Sequence, residues 1–407
     1  MNTVSHKQPK AIVVGGSLGG LFAANMLSRN GWEVEIFERT PEALTGRGAG
    51  IVTHPELFDA LAAAGVVFDE TIGVHISARI TLSREGTSLG DQQLPQTLTA
   101  WGKMYDVLSK AFRGTYRTSM LVTSVDSHLD HATVTLQDGS THRADLVIAA
   151  DGFRSNVREQ LLPSAGLEYA GYIAWRGLVD ETQLSPDTHA AIFDKFAFCL
   201  PPHEQILGYP VAGEGNSTEP GQRRYNFVWY RATREDDELP DLLTDASGKR
   251  WSNGIPPGLI RPDVLADMEG AATTLLAPQF AEVVAKTTQP LFQPIFDLTV
   301  PRMAFGRIAL LGDAAFVARP HCGMGVTKAA GDAMALVRAL AGHSSVETAL
   351  EAYSAERVQF GHAIVEHARH LGAYMQAQLK SDHDREMAER YRTPEAVMRE
   401  TAVSRRF

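Results

Sequence analysis

Residues 11–40 read AIVVGGSLGGLFAANMLSRNGWEVEIFERT, and this stretch decides the fold. A short β-branched run at 12–14 enters a cluster of glycines, and apolar residues then recur at helical spacing over 21–27. A second apolar run follows at 34–37 and ends in Glu38. The order strand, turn, helix, strand predicts a parallel α/β unit of the Rossmann type.

The turn of this unit has the pattern of a phosphate-binding loop. Gly15 and Gly20 stand at the first and third glycine positions of the usual fingerprint, and Ser17 replaces the middle glycine. The N-terminus of the next helix offers unpaired N–H groups to a pyrophosphate, and an acidic residue such as Glu38 accepts hydrogen bonds from a ribose. A glycine-rich turn that binds nothing is the alternative, which the strand, helix and acidic residue disfavour.

Two later stretches also end a strand in an acidic residue. In DLVIAADGFRSNVR (145–158) the apolar strand ends at Asp151, for which a simple helix N-cap is the alternative role. In RIALLGDAAFVARPHCGMGVTKAAGDAMALVRAL (307–340) a strand leads to Asp313, a glycine-rich loop and a helix from about 326. Helix starts that face a ligand and lie so far apart in the chain predict a long ligand.

The bulk composition excludes several classes of protein. The 407 residues are 44% hydrophobic and 21% charged, as in ordinary globular proteins, and the net charge of -10 argues against a nucleic-acid surface. The chain has no apolar run of ~18 residues and no secretory signal, so we expect a cytoplasmic protein without membrane contact. Cys199 and Cys322 are too few for a disulfide framework, and no ligand spacing indicates a metal site.

Together, GGSLGG with Glu38, DLVIAADG at 145–152 and RIALLGDAAFVARPHCGMG at 307–325 resemble the FAD-binding signatures of the single-component (class A) flavoprotein aromatic hydroxylases. The resemblance implies an α/β fold with a Rossmann-like FAD-binding domain (GR2-type), an inserted β-rich substrate domain and C-terminal helices. It implies FAD contacts in the adenosine half from Gly15, Ser17, Leu18, Gly20, Glu38, Arg39, Arg47 and Asp151. In the flavin half it implies contacts from Asp313, Pro320, Gly323, Gly325 and Val326.

The family's chemistry gives the expected reaction. Reduced flavin reacts with O2 to form a C4a-hydroperoxide, which hydroxylates an electron-rich ring, and the cofactor carries this chemistry while the protein positions the ring. NADH or NADPH serves as the co-substrate that reduces the flavin. A flavin-binding protein without turnover is an alternative, for which Ser17 in the phosphate loop is the only indication.

Short strings narrow the substrate within the family. TGRGAGIVTHPEL (45–57) and YDVLSKAF (105–112), with Tyr105 where many relatives have an arginine, are similar to the 2,6-dihydroxypyridine 3-hydroxylase group. This resemblance predicts a small hydroxylated N-heteroaromatic substrate. A phenolic, salicylate-like or purine substrate is the alternative.

Three side chains are candidates for the catalytic base or its orienting partner: His54, Tyr209 and His321. An imidazole titrates near neutral pH, and His321 after Pro320 should lie near the ring face. His203 is more typical of an exposed turn, whereas a nucleophilic Cys322 would need a lowered thiol pKa. The sequence does not decide whether Trp175 and Arg176 lie in the pocket or in the core.

The remaining sequence suggests a division into domains. We assign 1–72, 99–170 and 293–341 to the FAD-binding domain, 73–98 and 171–292 to the substrate domain, and 342–407 to a C-terminal helical region. Helical patterns are predicted near 261–287 and beyond 341. The charged tail from 380 to 407 indicates a solvated helix and a mobile end, with a homodimer contact left open.

Overall fold

The computed structural model describes residues 8–42, 44, 50–256, 258–379 and 381–404. Its first layer is a six-stranded sheet that is parallel except for one edge strand. In spatial order the strands are β16 (Ala304–Phe305), β17 (Ile308–Leu310), β10 (Leu146–Ala149), β1 (Lys10–Val14), β2 (Glu33–Phe37) and β6 (Thr115–Arg117).

The register of this sheet brings the sequence motifs to one edge. Val14 at the end of β1 lies beside Ala149 of β10 and Phe37 of β2. The residues that follow these strands therefore meet at the carboxyl edge, where open α/β sheets bind ligands. The central strand β1 is buried on both faces, as its apolar run predicts.

Helices cover the sheet. Those that pack on or near it are α1 (Leu18–Arg29), α2 (Pro55–Ala63), α3 (Trp101–Ala111), α4 (Asn156–Leu161), α9 (Gly325–Gly342) and α10 (Val346–Leu371). A three-stranded antiparallel sheet of β7 (Val122–Ser127), β8 (Ala132–Leu136) and β9 (Thr141–Ala144) flanks this layer. The predicted helix from about 326 to 340 is confirmed as α9.

The second layer is a mostly antiparallel sheet of eight strands. Its spatial order is β15 (Leu291–Asp297), β11 (Glu168–Asp180), β14 (Arg224–Ala232), β13 (Glu204–Val211), β12 (Lys195–Cys199), β4 (Val74–Leu82), β5 (Ser88–Ala100) and β3 (Gly50–Val52). A separate hydrophobic cluster joins it to α5 (Pro186–Ile192), α6 (Glu238–Leu242), α7 (Pro262–Leu275) and α8 (Pro278–Ala285). The helical pattern near 261–287 is thus two helices, each beginning at a proline.

The predicted α/β fold with a sheet-rich region and C-terminal helices is confirmed, whereas the domain boundaries stay a prediction. The expectation of a solvated tail is wrong for the described part. The tail forms α11 (Asp382–Tyr391) and α12 (Pro394–Glu400), and α12 packs on β4 and β5 with Met398 buried. Apolar residues spaced along α12 give it a buried face despite its high charge.

Candidate active site

A cavity of about 460 Å³ opens at the carboxyl edge of β1, β2 and β10, and we call it the nucleotide cavity. It brings together residues that follow three strands, β1, β2 and β10, and that belong to two of the sequence motifs. Among its lining residues are Gly15, Ser17, Glu38, Arg39, Asp151, Phe153, Arg154 and Gln293.

Backbone contacts explain the glycines of the first turn. Gly15 has a φ of +99°, and a Cβ on it would lie 2.4 Å from the carbonyl oxygen of Ala150. A Cβ on Gly20 would lie 1.9 Å from the carbonyl oxygen of Gly15. Ser17 is the N-cap of α1 but makes no side-chain capping hydrogen bond, and Leu18 is a buried residue of the first helical turn. The turn is therefore closed by packing, and Ser17 faces the cavity.

Hydrogen bonds from the loop fix the Glu38 carboxylate. One oxygen accepts from the Gly16 N–H at 2.8 Å, and the other accepts from the Thr40 N–H at 2.9 Å and its hydroxyl at 2.6 Å. The carboxylate is buried and connects the ends of β1 and β2. Arg39 beside it is exposed at the cavity, and Arg47 lies outside the described residues.

Asp151 offers a buried acceptor to this cavity. Its Oδ2 accepts from the Val157 N–H at 3.3 Å, whereas its buried Oδ1 has no hydrogen-bond partner among the described residues. Burial raises the pKa of Asp151 above its usual range. Buried polar atoms in native proteins nearly always have a partner. A ligand with hydroxyl or N–H donors, as FAD has, fits this position.

A second cavity of about 430 Å³ continues from the first, and we call it the ring cavity. Phe153 and Gln293 line both cavities, so the two lie side by side. One wall of the ring cavity comes from loops and from the start of α9. This wall contains Asp313, Pro320, Gly323, Gly325, Val326 and Lys328, and the cavity is also lined by Gly50, Ile51 and Val52 of β3.

Lys328 is a buried cation in this wall that the sequence reasoning missed. Its side chain is 1% exposed, and Nζ donates to Asp313 Oδ1 at 2.6 Å and to the Phe316 carbonyl at 2.7 Å. The lysine therefore fixes the orientation of the half-exposed Asp313 carboxylate. Its position one turn into a helix that starts at a glycine-rich loop was the available signal.

The opposite wall comes from the inner face of the eight-stranded sheet. Alternate residues of β13 and β14 point to one side of a sheet, which puts Leu207 with Tyr209 and Val228 with Tyr230 on the cavity face. Arg176 on β11 joins them, paired in register with Val228. The sequence left Arg176 undecided because strand alternation does not say which face is inner.

Arg176 is the cation of this wall. Its buried Nε has no partner among the described residues. Burial raises the pKa of Tyr209 to about 12 although Arg176 opposes this shift, and burial also raises the pKa of Tyr230. Both phenols are therefore protonated at neutral pH, and the wall combines hydrogen-bond donors with one positive charge.

The two predicted catalytic histidines lie behind the cavity walls. His321 does not line the ring cavity as expected, because its imidazole packs on Tyr230, with ring centroids 4.2 Å apart, and its Nε2 is 2.8 Å from the Tyr172 hydroxyl. His54 Nδ1 is 3.1 Å from the Thr327 hydroxyl. Burial lowers the pKa of His54 to about 4 and that of His321 well below its usual range. Both rings are neutral, and of the three candidates only Tyr209 lines the cavity.

The structure also locates Cys322 and His203, two side chains that the sequence raised as alternatives. Burial raises the pKa of the Cys322 thiol to about 11, which leaves no thiolate at neutral pH, and its sulfur lies 3.3 Å from the Arg319 carbonyl. His203 lies in an exposed turn with a φ of +59°.

Within the described ranges no three His, Cys, Asp or Glu residues are grouped as metal ligands. No described helix is long and apolar enough to cross a membrane.

Comparisons with known proteins agree with this geometry. Residues 169–297 match a family described as FAD binding domain-like, and residues 266–368 match the FAD binding domain family. The chain is 34% identical over 320 residues to 2,6-dihydroxypyridine 3-monooxygenase of Paenarthrobacter nicotinovorans, covering 78% of this chain and 79% of that protein. It is 27% identical to 6-hydroxynicotinate 3-monooxygenase of Bordetella bronchiseptica, over 79% and 80% of the two chains.

A solved structure of 2,6-dihydroxypyridine-3-hydroxylase from Arthrobacter nicotinovorans has a TM-score of 0.85 and 30% identity, covering 92% of this chain and 95% of that one. The fold and these similarities define an FAD-dependent monooxygenase. The chain belongs to the class A family of FAD-dependent aromatic hydroxylases, as the sequence motifs predicted.

Proposed function

We propose that this enzyme hydroxylates a small hydroxylated N-heteroaromatic ring, similar to 2,6-dihydroxypyridine, with O2 and NADH or NADPH. The observation that carries the proposal is the ring cavity wall in which Arg176 stands between apolar and phenolic side chains. A hydroxyl on an electron-poor azine is acidic, and an anionic ring oxygen would pair with this guanidinium. The 34% identical relative, named as a 2,6-dihydroxypyridine 3-monooxygenase, supports the same substrate class.

The residues that would hold FAD divide between the two cavities. Ser17, Glu38, Arg39 and Asp151 would contact the adenosine and pyrophosphate half, while Gly15, Leu18 and Gly20 shape the turn. Asp313, Pro320, Gly323, Gly325 and Val326 would contact the ribityl chain and ring. When bound, FAD accepts a hydride from the reduced nicotinamide and supplies the oxygen-transfer chemistry.

The protein's own contribution is to bind and orient the substrate. Arg176 would stabilise the ring oxyanion, which makes the ring more electron-rich at the position to be hydroxylated. Tyr209 and Tyr230 stay protonated and can donate hydrogen bonds to substrate oxygens. Tyr209 thus acts as a positioning donor, and the roles predicted for His54 and His321 would have to act through Thr327 and Tyr172.

Water exclusion is the second contribution. Phe196, Leu207 and Val228 add apolar surface to the cavity that Arg176 lines. A low local dielectric strengthens the pairing of Arg176 with an anion and limits side reactions of the activated cofactor. The start of α9 at Gly325 directs its positive dipole end towards the same cavity.

The test is anaerobic reduction of the FAD-loaded enzyme by NADH in a stopped-flow spectrometer. We expect 2,6-dihydroxypyridine to accelerate reduction strongly and salicylate to have little effect. Acceleration by salicylate alone would mean that the substrate is a phenolic acid and not an azine. If neither compound acts, the proposed substrate class is wrong.

Substitution of Arg176 tests its role. Arg176→Met should weaken binding of 2,6-dihydroxypyridine about 100-fold, because removal of one partner of a buried charge pair costs about 3 kcal/mol. Arg176→Lys should recover part of the loss, and FAD affinity should change less than about twofold. Arg231→Met is the matched control, since Arg231 lies on β14 with its guanidinium 3.0 Å from Glu204. Equal effects of the two Met variants would contradict the assignment.

A cytoplasmic location and a homodimer also belong to this proposal. The two free cysteines, Cys199 and Cys322, suit a reducing compartment. The exposed apolar side chains of Val67 and Phe68 suit a contact between subunits. Light scattering after gel filtration should give twice the chain mass, and Val67→Glu should shift the protein towards the monomer.

A further inference from the structure

The C-terminal tail returns to the ring cavity. After α12 the chain turns at Thr401 and Ala402, and both residues line the cavity beside Gly323. They lie more than three hundred residues from Gly50 and more than two hundred from Arg176, which line the same space. The last described turn of the chain is thus part of the wall of the proposed active site.

A buried arginine holds this turn in place. Arg79 on β4 is 0% exposed, and its Nη1 donates to the carbonyl oxygens of Met398 at 2.7 Å and Thr401 at 2.6 Å. Its Nη2 donates to the Ala402 carbonyl at 3.3 Å, and both Nη2 and Nε donate to Gln96 Oε1. Gln96 Nε2 in turn donates to the Ala402 carbonyl at 3.1 Å.

Because Arg79 is a buried cation, it needs the hydrogen-bond acceptors that the tail provides. Among the described residues Arg79 has no carboxylate partner, and burial lowers its pKa to about 9, so it remains a cation at neutral pH. A buried cation is stable only when its donors are satisfied. Three of its acceptors are carbonyls of the tail, so displacing the tail would leave the cation without them. Its guanidinium also lies 4.9 Å from the ring centroid of Phe196, which lines the ring cavity.

The other side of the turn packs on the ring-cavity wall that contains Gly323. The Ala402 N–H donates to the His321 carbonyl at 2.7 Å, and Ala402 has a φ of +53°. A Cβ on Gly323 would lie 2.7 Å from the Ala402 Cβ, so no space remains between the turn and the Gly323 loop. The Ser404 hydroxyl donates to Glu56 at 2.7 Å, which fixes the chain beyond the turn.

A side cavity of about 460 Å³ lies beyond this turn, lined by His54, Phe58, His75, Val403 and Ser404 among others. Consecutive residues of one segment therefore line two different cavities. We propose that the Thr401–Ala402 turn is the partition that limits the ring cavity to a monocyclic substrate, and that Arg79 is its positioning residue. This inference rests on the proposed function for the identity of the substrate.

Two truncated chains test the partition in the FAD-loaded enzyme. One ends at Glu400 and lacks the turn, and the control ends at Ser404 and keeps it. Without the turn, iodide should quench flavin fluorescence at least threefold more efficiently, since solvent enters from the side cavity. This measurement needs no substrate, so it remains decisive even if the proposed substrate class is wrong.

Ligand size gives the second readout. We expect loss of the turn to weaken binding of 2,6-dihydroxypyridine at least tenfold, measured by the change in flavin absorbance, and to strengthen binding of the bicyclic 2,4-dihydroxyquinoline. Hydrogen peroxide formed per NADH should also increase. Identical quenching and identical size preference in the two truncated chains would overturn the proposal.

Substitution of Arg79 tests the positioning role without shortening the chain. Arg79→Met should reproduce the altered size preference and quenching, and Arg79→Lys should recover only part of the original behaviour because it has no fork of donors. A general loss of structure would lower FAD affinity and the response to every ligand equally. A changed ratio between monocyclic and bicyclic ligands distinguishes positioning from such a loss. If Arg79→Met keeps the original ratio, Arg79 does not position the turn.

Discussion

The nucleotide cavity and the ring cavity are built in different ways. The first is formed largely by backbone turns at the ends of adjacent parallel strands, and its residues Gly15, Ser17 and Glu38 all come from the stretch 11–40. The second is formed by side chains from both sheets, from α9 and from the C-terminal turn. The difference teaches that the shape of the nucleotide cavity depends on local backbone geometry, whereas the shape of the ring cavity depends on long-range packing.

A methyl group in the phosphate turn should have the largest effect. In Gly20→Ala the new Cβ would meet the Gly15 carbonyl at 1.9 Å, so we expect a loss of about 4 kcal/mol in the free energy of unfolding and loss of FAD binding. Urea unfolding and FAD titration measure both quantities. Gly270→Ala in α7, where a Cβ meets nothing within 4 Å, is the control and should not destabilise the fold. A mild Gly20→Ala phenotype would mean that the turn is adaptable.

The second-largest expected effect is a loss of folding stability in acid, caused by protonation of His54 behind the ring cavity. His54 packs near Gly323, and burial holds its pKa at about 4, below the ~6.5 of an unfolded chain. A depressed histidine pKa gives stability that is present above pH 6.5 and is lost as the pH falls towards 4. The full effect is about 3 kcal/mol.

Unfolding of the wild type and of His54→Gln between pH 7.5 and 4 measures this contribution. The variant should show a shallower loss of stability over that range. His203→Asn, in the exposed turn, is the control and should keep the wild-type slope. If stability falls with pH equally in His54→Gln and in the wild type, the pKa of His54 does not change on folding.

A smaller effect is expected from substitution of Lys328 in the ring-cavity wall that contains Asp313. Lys328→Met removes the donor that orients Asp313, so FAD affinity should fall about 30-fold, or about 2 kcal/mol, as expected for hydrogen bonds to charged groups. Reconstitution of the apoprotein, followed by flavin fluorescence, measures the affinity. Lys110→Met, in an exposed ion pair of α3, should leave it unchanged. If FAD affinity is unchanged in Lys328→Met, the orientation of Asp313 by Lys328 does not contribute to FAD binding.

The smallest expected effect concerns the strained residue of the tail. Ala402 has a φ of +53°, which glycine adopts more easily, so Ala402→Gly should raise the free energy of unfolding by about 0.5 kcal/mol. Ala402→Val should lower it by about 1 kcal/mol or more, because a β-branched residue is strained there. Thermal unfolding of both variants gives the sign. The opposite order would mean that packing at Ala402 outweighs its backbone strain.

The sequence predicted the nucleotide cavity because its determinants are local. The strand order, the spacing from Gly15 to Glu38 and the position of Asp151 after β10 all follow from short patterns. Asp313 and Pro320, which follow β17 and precede α9, line the ring cavity, and their contact with the flavin stays a prediction.

The ring cavity was predicted less well because contacts between distant residues define it. Arg176 stayed undecided since either face of β11 could be inner, and His321 was expected in the wall although Tyr230 separates it from the cavity. Arg79 and Ala402 are 323 positions apart, and no pattern in either stretch predicts their contact. The charge of the tail indicated solvent exposure, but its backbone carbonyls rather than its charges make the decisive contacts.

The position of Ala402 in the wall also matters during protein synthesis. The residues that line the nucleotide cavity are all translated by Gln293, whereas Thr401 and Ala402 of the ring cavity are translated about a hundred residues later. A chain terminated after Glu400 would therefore contain every residue of the first lining and lack two residues of the second.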